Sequence, residues 1–207
     1  MIGQILTIAA LSGLAWLTNG VRQIGAVSPG VPIDSRPGTA LLLVDLQSVF
    51  WDEGPYEDAA KEDALTAILA EVAAAKAENL PIIAVRQEWS IPSTKIIARL
   101  TMRGQAVEGT PGTQIAEPFE GLADHEIVKR VQDAFETGEL DRLLERLDVG
   151  KLRIVGLDLR YCVAKTALAA RQRGYSVEVV TRATLCVNRT AGDETRKLLS
   201  SNAVILR

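Results

Sequence analysis

Three residues in this chain have the types and positions for nucleophilic chemistry: Asp45, Lys129 and Cys162. Asp45 closes the apolar run TALLLVD at 39 to 45, Lys129 lies inside EIVKRV at 126 to 131, and Cys162 follows LRIVGLD at 152 to 158 within one turn. A Cys at the start of a helix has its thiolate favoured by the helix dipole and by free backbone N–H groups, so its pKa is expected to fall toward the reactive range. A carboxylate beside it can accept the thiol proton, and an ammonium group can keep that carboxylate ionised. Backbone N–H groups of the same turn can cradle an oxyanion. Taken singly, each residue also has an ordinary reading. A Cys on a helix facing a sheet is a small core residue, as Cys186 is read here. An Asp closing a strand caps a turn, and a Lys in a strand lies at an edge or in solvent.

The scarcity of other reactive types sharpens the choice. The 207 residues contain one His (His125) and two Cys, so clustered His or Cys sites are excluded, among them zinc fingers and HExxH centres. Two cysteines make no disulfide framework, and a reducing, cytoplasmic setting is the expectation. A net charge of -3 and scattered Lys and Arg argue against a nucleic-acid partner, and 4% aromatic residues leave few stacking platforms. A small-molecule substrate is expected instead.

The elements that must position the three residues follow from periodicity. An apolar run at 39 to 45, a helical stretch from 56 to 78 with Leu65, Ile68, Leu69, Val72 and Ala75 in phase, and a strand at 81 to 85 come first. A Gly/Pro/Thr-containing region to about Asp124 is too long for an ordinary connection and is expected to line a site. The alternation then resumes: strand 126 to 131, helix 138 to 147, strand 152 to 158, a helix from about Tyr161 or Cys162 to Gly174, strand 176 to 183, a helix near 193 to 201 and strand 203 to 207. Near-continuous apolar strands alternating with helices predict an α/β fold with a buried parallel sheet covered on both faces. Ligands of such sheets bind beyond the carboxyl ends of the strands, where strand order reverses.

Residues 1 to 38 stand apart from this domain. Residues 2 to 17 carry no charged side chain, and residues 26 to 38 hold three Pro and two Gly, the composition of an arm. The apolar run is read as a helix buried on the domain or on another subunit. A secretory signal cleaved near Ala26, or a membrane anchor, is the alternative, although no Lys or Arg precedes the run and it is shorter than a span. Buried in this way, the segment would sit at an interface of a homo-oligomer.

The stretches LLLVDLQSVF (41 to 50), IVKRVQDAFETGELDRLLERL (127 to 147) and IVGLDLRYCVAKTALAARQRGYSVEVVTRAT (154 to 184), in that order, together resemble the isochorismatase-like cysteine hydrolase superfamily. The resemblance covers residues 39 to 207. It implies a three-layer α/β/α domain with a six-stranded, mostly parallel sheet, and a triad of Asp45, Lys129 and Cys162. It further implies a cis peptide between Leu157 and Asp158, with the backbone N–H groups of Asp158 and Cys162 as oxyanion donors. The activity implied is hydrolysis of a small amide or other C–N bonded substrate through a thioester. An isochorismatase-type vinyl-ether hydrolase and a degenerate, ligand- or partner-binding member are the alternatives.

Two departures qualify the resemblance. Nicotinamidase members hold a metal through an Asp and His residues near the second strand, whereas VRQEWSIPST at 85 to 94 has no His; a metal-free, cofactor-free branch is implied. Leu159 and Arg160 replace the family's usual Thr and acidic residue before the Cys, which changes the polarity expected there. Phe50, Gln87, Trp89 and Tyr161 on strand-end loops are the expected substrate-binding residues, with Arg86 or Arg160 as binders of a carboxylate. Asp133 is expected at the surface and His125 on an exposed loop.

Overall fold

β-Branched and leucine-rich runs too apolar to face water on either side form the centre of a six-stranded sheet. The computed structural model of the protein describes residues 2–207, with side chains from residue 11 onward. The strands are β1 (Gly38–Val44), β2 (Ile82–Gln87), β3 (His125–Lys129), β4 (Val149–Gly156), β5 (Ser176–Thr184) and β6 (Ile205–Leu206). They pair in parallel throughout, in the order β3-β2-β1-β4-β5-β6. Order reverses between β1 and β4, so the crevice of the sheet opens where Asp45 and Cys162 leave these two strands.

Alternation along β1 divides the core into two layers. Leu42 and Val44 pack with Leu140, Leu143 and Leu144 of α5 (Glu139–Arg146) and with Ala167 and Ala170 of α6 (Ala164–Gln172). Leu41 and Leu43 face the opposite way, onto Ile68, Val72 and Ala75 of α3 (Asp58–Ala77). This is the expected α/β/α sandwich. Within α3 the buried face differs from the expected stripe: Leu69 is exposed and Leu65 only half-buried, while Ala64 and Ala67 are buried. Small side chains there let the helix lie close to the sheet. The short α2 (Ser48–Trp51) follows β1, and α7 (Arg189–Ser201) begins earlier than the periodicity suggests because Asn188 caps it, accepting from the Ala191 N–H at 2.9 Å.

Gly156 is required where β4 ends. Its φ is +116°, and a Cβ there would lie 2.1 Å from the Val44 carbonyl oxygen, a backbone atom that cannot yield. Gly156→Ala is therefore expected to cost about 3 kcal/mol or more, read as a lower urea unfolding midpoint with unchanged slope.

The region from 88 to 124 is not a bare connection. It carries α4 (Pro92–Thr101), opened by a proline at its first turn, and a single 3-10 turn at Glu117–Phe119. The Gly, Pro and Thr of the neighbouring loops mask this helix in the sequence. Residues 2 to 24 form α1 (Ile2–Ile24), which packs against α4 and leaves Leu11, Leu14, Trp16 and Val21 exposed. Among the described residues, no helix is long and apolar enough to cross a membrane.

The arm after α1 corrects one expectation. Asp133 is fully buried, not superficial: its Oδ2 accepts the Ser28 N–H at 2.7 Å and its Oδ1 the Phe135 N–H at 2.8 Å. Burial raises its carboxyl pKa, opposed by those bonds. Arg173, also buried, donates to the Ser28 carbonyl at 3.0 Å and the Pro29 carbonyl at 3.1 Å while pairing with Asp141 at 2.9 Å. The arm thus supplies the partners that make burial of both charges tolerable. His125 is likewise not on an exposed loop; it opens β3, half-buried, in register with Ile83.

Candidate active site

The left-handed backbone at Asp45 (φ 53°) turns the chain off β1, its N–H held by the Val85 carbonyl at 2.8 Å. Lys129 ends β3 and is in register with Gln87 on β2. Cys162 lies in a wide helical turn, Leu159–Val163, that leads from β4 into α6. Three strand ends thereby bring the three residues to one point.

Lys129 is wholly buried, although it stands on an edge strand where a lysine ordinarily reaches solvent. Its ammonium has three partners, matching its three donors: Asp45 Oδ2 at 3.0 Å, Cys162 Sγ at 3.3 Å and Gln87 Oε1 at 2.5 Å. Asp45 also faces the Cys162 thiol, and its Oδ1 accepts no hydrogen bond among the described residues. Burial lowers the Lys129 pKa, but Asp45 and then Cys162 outweigh it and hold the ammonium above its ordinary value. Burial lifts Asp45 above the usual carboxylate range, with Lys129 opposing.

The Cys162 thiol departs from the sequence expectation. Its pKa is raised, not lowered, by burial and then by the Asp45 carboxylate, with Lys129 opposing. A helix start favours the thiolate of a partly solvated Cys; a buried thiol beside a carboxylate cannot release its proton to water cheaply. Cys186, read as a core residue, sits half-buried in the loop after β5 with its thiol donating to the Asn188 carbonyl at 3.3 Å.

Gln47 was not singled out by the sequence reading, yet it organises the site. Its amide pairs with the backbone of Gln87 as a neighbouring peptide group would, accepting the Gln87 N–H at 2.6 Å and donating to the Gln87 carbonyl at 3.0 Å. A further bond to the Thr113 carbonyl at 2.7 Å anchors it. Gln87 in turn holds Lys129 through its side chain, so this residue, expected to bind substrate, has its polar atoms committed within the protein.

A cavity of about 390 Å³ opens over Asp45 and Cys162. Phe50, Gln87, Trp89 and Tyr161 all line it, as do Tyr56, Met102, Gln105 and Gln132, which no local pattern marks out. The Leu157–Asp158 peptide is cis. Asp158 accepts from the Arg160 N–H at 2.8 Å and from the Tyr56 hydroxyl at 3.3 Å. Cys162 stands in a first helical turn, where amide N–H groups have no acceptor within the helix. Trp89 Nε1 is buried without a partner among the described residues.

The expected carboxylate binders lie elsewhere. Arg86 neighbours Gln87 on β2 and so projects to the other face of the sheet, where Glu88 (2.8 Å) and Glu126 (2.9 Å) hold it. Arg160 stacks on the Tyr161 ring at 5.3 Å and does not line the cavity. Leu159 is buried in the core and does not line it either, so the replacements at 159 and 160 leave the cavity wall untouched. Among the described residues no three His, Cys, Asp or Glu side chains are grouped to hold a metal ion. At the end of β2 the one carboxylate, Glu88, is bound to Arg86, and its neighbours Gln87 and Trp89 are poor metal donors. The residues present do not fit a metal centre.

The comparisons agree with this architecture. Residues 39–204 match the Isochorismatase domain family, whereas no curated protein matches the sequence. Among solved structures, the chain is similar to the pyrazinamidase of Pyrococcus horikoshii in complex with zinc, with a TM-score of 0.69 at 23% identity over 83% of this chain and 99% of that one. It is also similar to an isochorismatase family protein from Desulfovibrio vulgaris, with a TM-score of 0.70 at 24% identity over 83% and 94% of the two chains. A third, N-carbamoylsarcosine amidase from Thermoplasma acidophilum, gives 0.68 at 19% identity over 83% and 96%.

Proposed function

Because the chain belongs to the Isochorismatase domain family, whose members are hydrolases, we propose that it hydrolyses a small amide or other C–N bonded substrate through a thioester on Cys162, without a metal. The observation that carries this reading is the Lys129 ammonium bonded at once to Asp45 and Cys162 beneath a substrate-sized cavity. The names of two structural neighbours, both amidases, support the bond type.

Asp45 takes the proton of the Cys162 thiol as sulfur bonds to the substrate carbonyl carbon. This transfer leaves the net charge of the buried site unchanged, so the burial that opposes ionisation to water does not oppose it to the same extent. The carbonyl oxygen becomes an oxyanion, held by the N–H groups of Asp158 and Cys162. Asp45 then gives its proton to the departing nitrogen as the C–N bond breaks, leaving a thioester and a free amine. A water molecule attacks the thioester, its proton passing to Asp45 and on to the Cys162 sulfur, which releases the acid. Lys129 stays charged throughout and keeps Asp45 a carboxylate between steps.

Ammonia or amine release from a panel of small amides and ureides, by enzyme dialysed against EDTA, tests the proposal. Release that persists, with an acyl mass on the Cys162 peptide after acid quenching, is expected. Turnover that depends on added metal, or that leaves no such adduct at any quench time, would overturn it. The pH profile is a second check. Protonated Asp45 cannot accept the thiol proton, so kcat/KM is expected to fall as pH drops through a pKa raised above 3.8 by burial. Lys129, held above 10.5, predicts no matching alkaline loss below that value.

A further inference from the structure

The N-terminal segment lies wholly before the family match at 39–204, yet it packs on the elements around the cavity at three points. The first is α4. At Gly20 of α1 a Cβ would meet Ser93 Cβ at 2.7 Å and Ile97 Cδ1 at 2.8 Å, so the two helices approach at the limit that a glycine permits. The second is apolar. Ile24, 7% exposed, belongs to one cluster with Val49, Trp89 and Ile97, and Leu17, Phe50 and Met102 pack against it. Phe50, Trp89 and Met102 are themselves walls of the Cys162 cavity. The third is the loop after β3. The Ile24 carbonyl accepts the Gln132 N–H at 3.1 Å, Gln132 lines the cavity, and the next residue, Asp133, binds the Ser28 N–H at 2.7 Å.

We propose that residues 17 to 34 form the outer support of the active-site wall and that Gly20, Ile24 and Asp133 are positioning residues which set the size of substrate admitted to Cys162. Ile24 shares one buried cluster with Trp89, while the buried Asp133 and Arg173 hold the arm that follows the helix at Ser28 and Pro29. The segment acts on the substrate only through the residues that it supports. This inference rests on reading the Cys162 cavity as the site proposed above.

Access to Cys162 can be measured without a substrate. In the full chain carrying Cys186→Ser, Cys162 is the only thiol, and its alkylation is followed with small iodoacetamide and with bulkier N-phenylmaleimide. Gly20→Val, which forces α1 from α4, is expected to raise the N-phenylmaleimide rate by about tenfold while iodoacetamide changes by about twofold or less. Gly20→Ala is expected to give a smaller shift in the same ratio, and adding Ser93→Gly, which removes the opposing Cβ, to restore it. Should Gly20→Val fail to fold, the Gly20→Ala pair carries the test. Equal acceleration of both reagents, no change with either, or no restoration by Ser93→Gly overturns the proposal. Both reagents report access and not turnover, so failure of the hydrolase reading would leave this outcome readable.

Discussion

Cys162→Ala is expected to lower turnover of any amide substrate by about 10⁴-fold or more, because removing the nucleophile removes the thioester route altogether. The fold should survive. Cys162 contributes one sulfur atom at the floor of a cavity, and its loss is expected to cost about 1 kcal/mol of unfolding free energy. Steady-state kinetics and urea unfolding on the same preparation separate the two effects. The contrasting result, activity spared in Cys162→Ala but lost in Asp45→Asn, would assign the site to vinyl-ether hydrolysis by a carboxyl acid. Loss of activity in neither variant would sink both mechanisms.

Lys129→Met is expected to abolish activity and also to destabilise the protein by about 3–5 kcal/mol near neutral pH, since it leaves the Asp45 carboxylate buried without its cation. The pH dependence gives the cause away. Without Lys129, the folded-state pKa of Asp45 rises further above its unfolded value. The deficit is then full above that raised pKa, and it shrinks as the pH falls toward 3.8, where the unfolded chain also binds the proton. Unfolding midpoints of Lys129→Met and wild type at pH 8 and pH 5 should therefore converge on the acid side. Asp45→Asn in the Lys129→Met background should recover most of the loss; a deficit independent of pH and of Asp45 would show instead that Lys129 matters by its packing alone.

Much of this site was legible in the sequence because it hangs on strand ends. Asp45, Lys129 and Cys162 each follow an apolar run, and a parallel sheet gathers the carboxyl ends of its strands on one edge. Phe50, Trp89 and Tyr161 lie in the segments that leave those ends and came with them. Gln87 joined them at the cavity but serves Lys129, a role that only the pairing of β2 with β3 reveals. Gln47 stood in view within the stretch LLLVDLQSVF, but its partner is forty residues away and nothing local names it. Met102 and Gln105 were hidden because the loop sequence around α4 masks a helix.

Periodicity and residue type by themselves determined the alternation of strands and helices around a parallel sheet, since these depend on neighbours a few residues apart, and they placed Asp45, Lys129 and Cys162 at or near strand ends. Whether a polar group is buried depends on what packs over it, and that was decided by tertiary structure alone. The arm at Ser28 and Pro29 covers Asp133, expected at the surface, and joins it to the buried Arg173 as an internal clamp. The face of β2 sends Arg86 to Glu88 and Glu126 and away from the cavity. Burial beside Asp45 reverses the direction expected for the Cys162 thiol, because the free energy of a charge is set by its surroundings and not by its place in the chain.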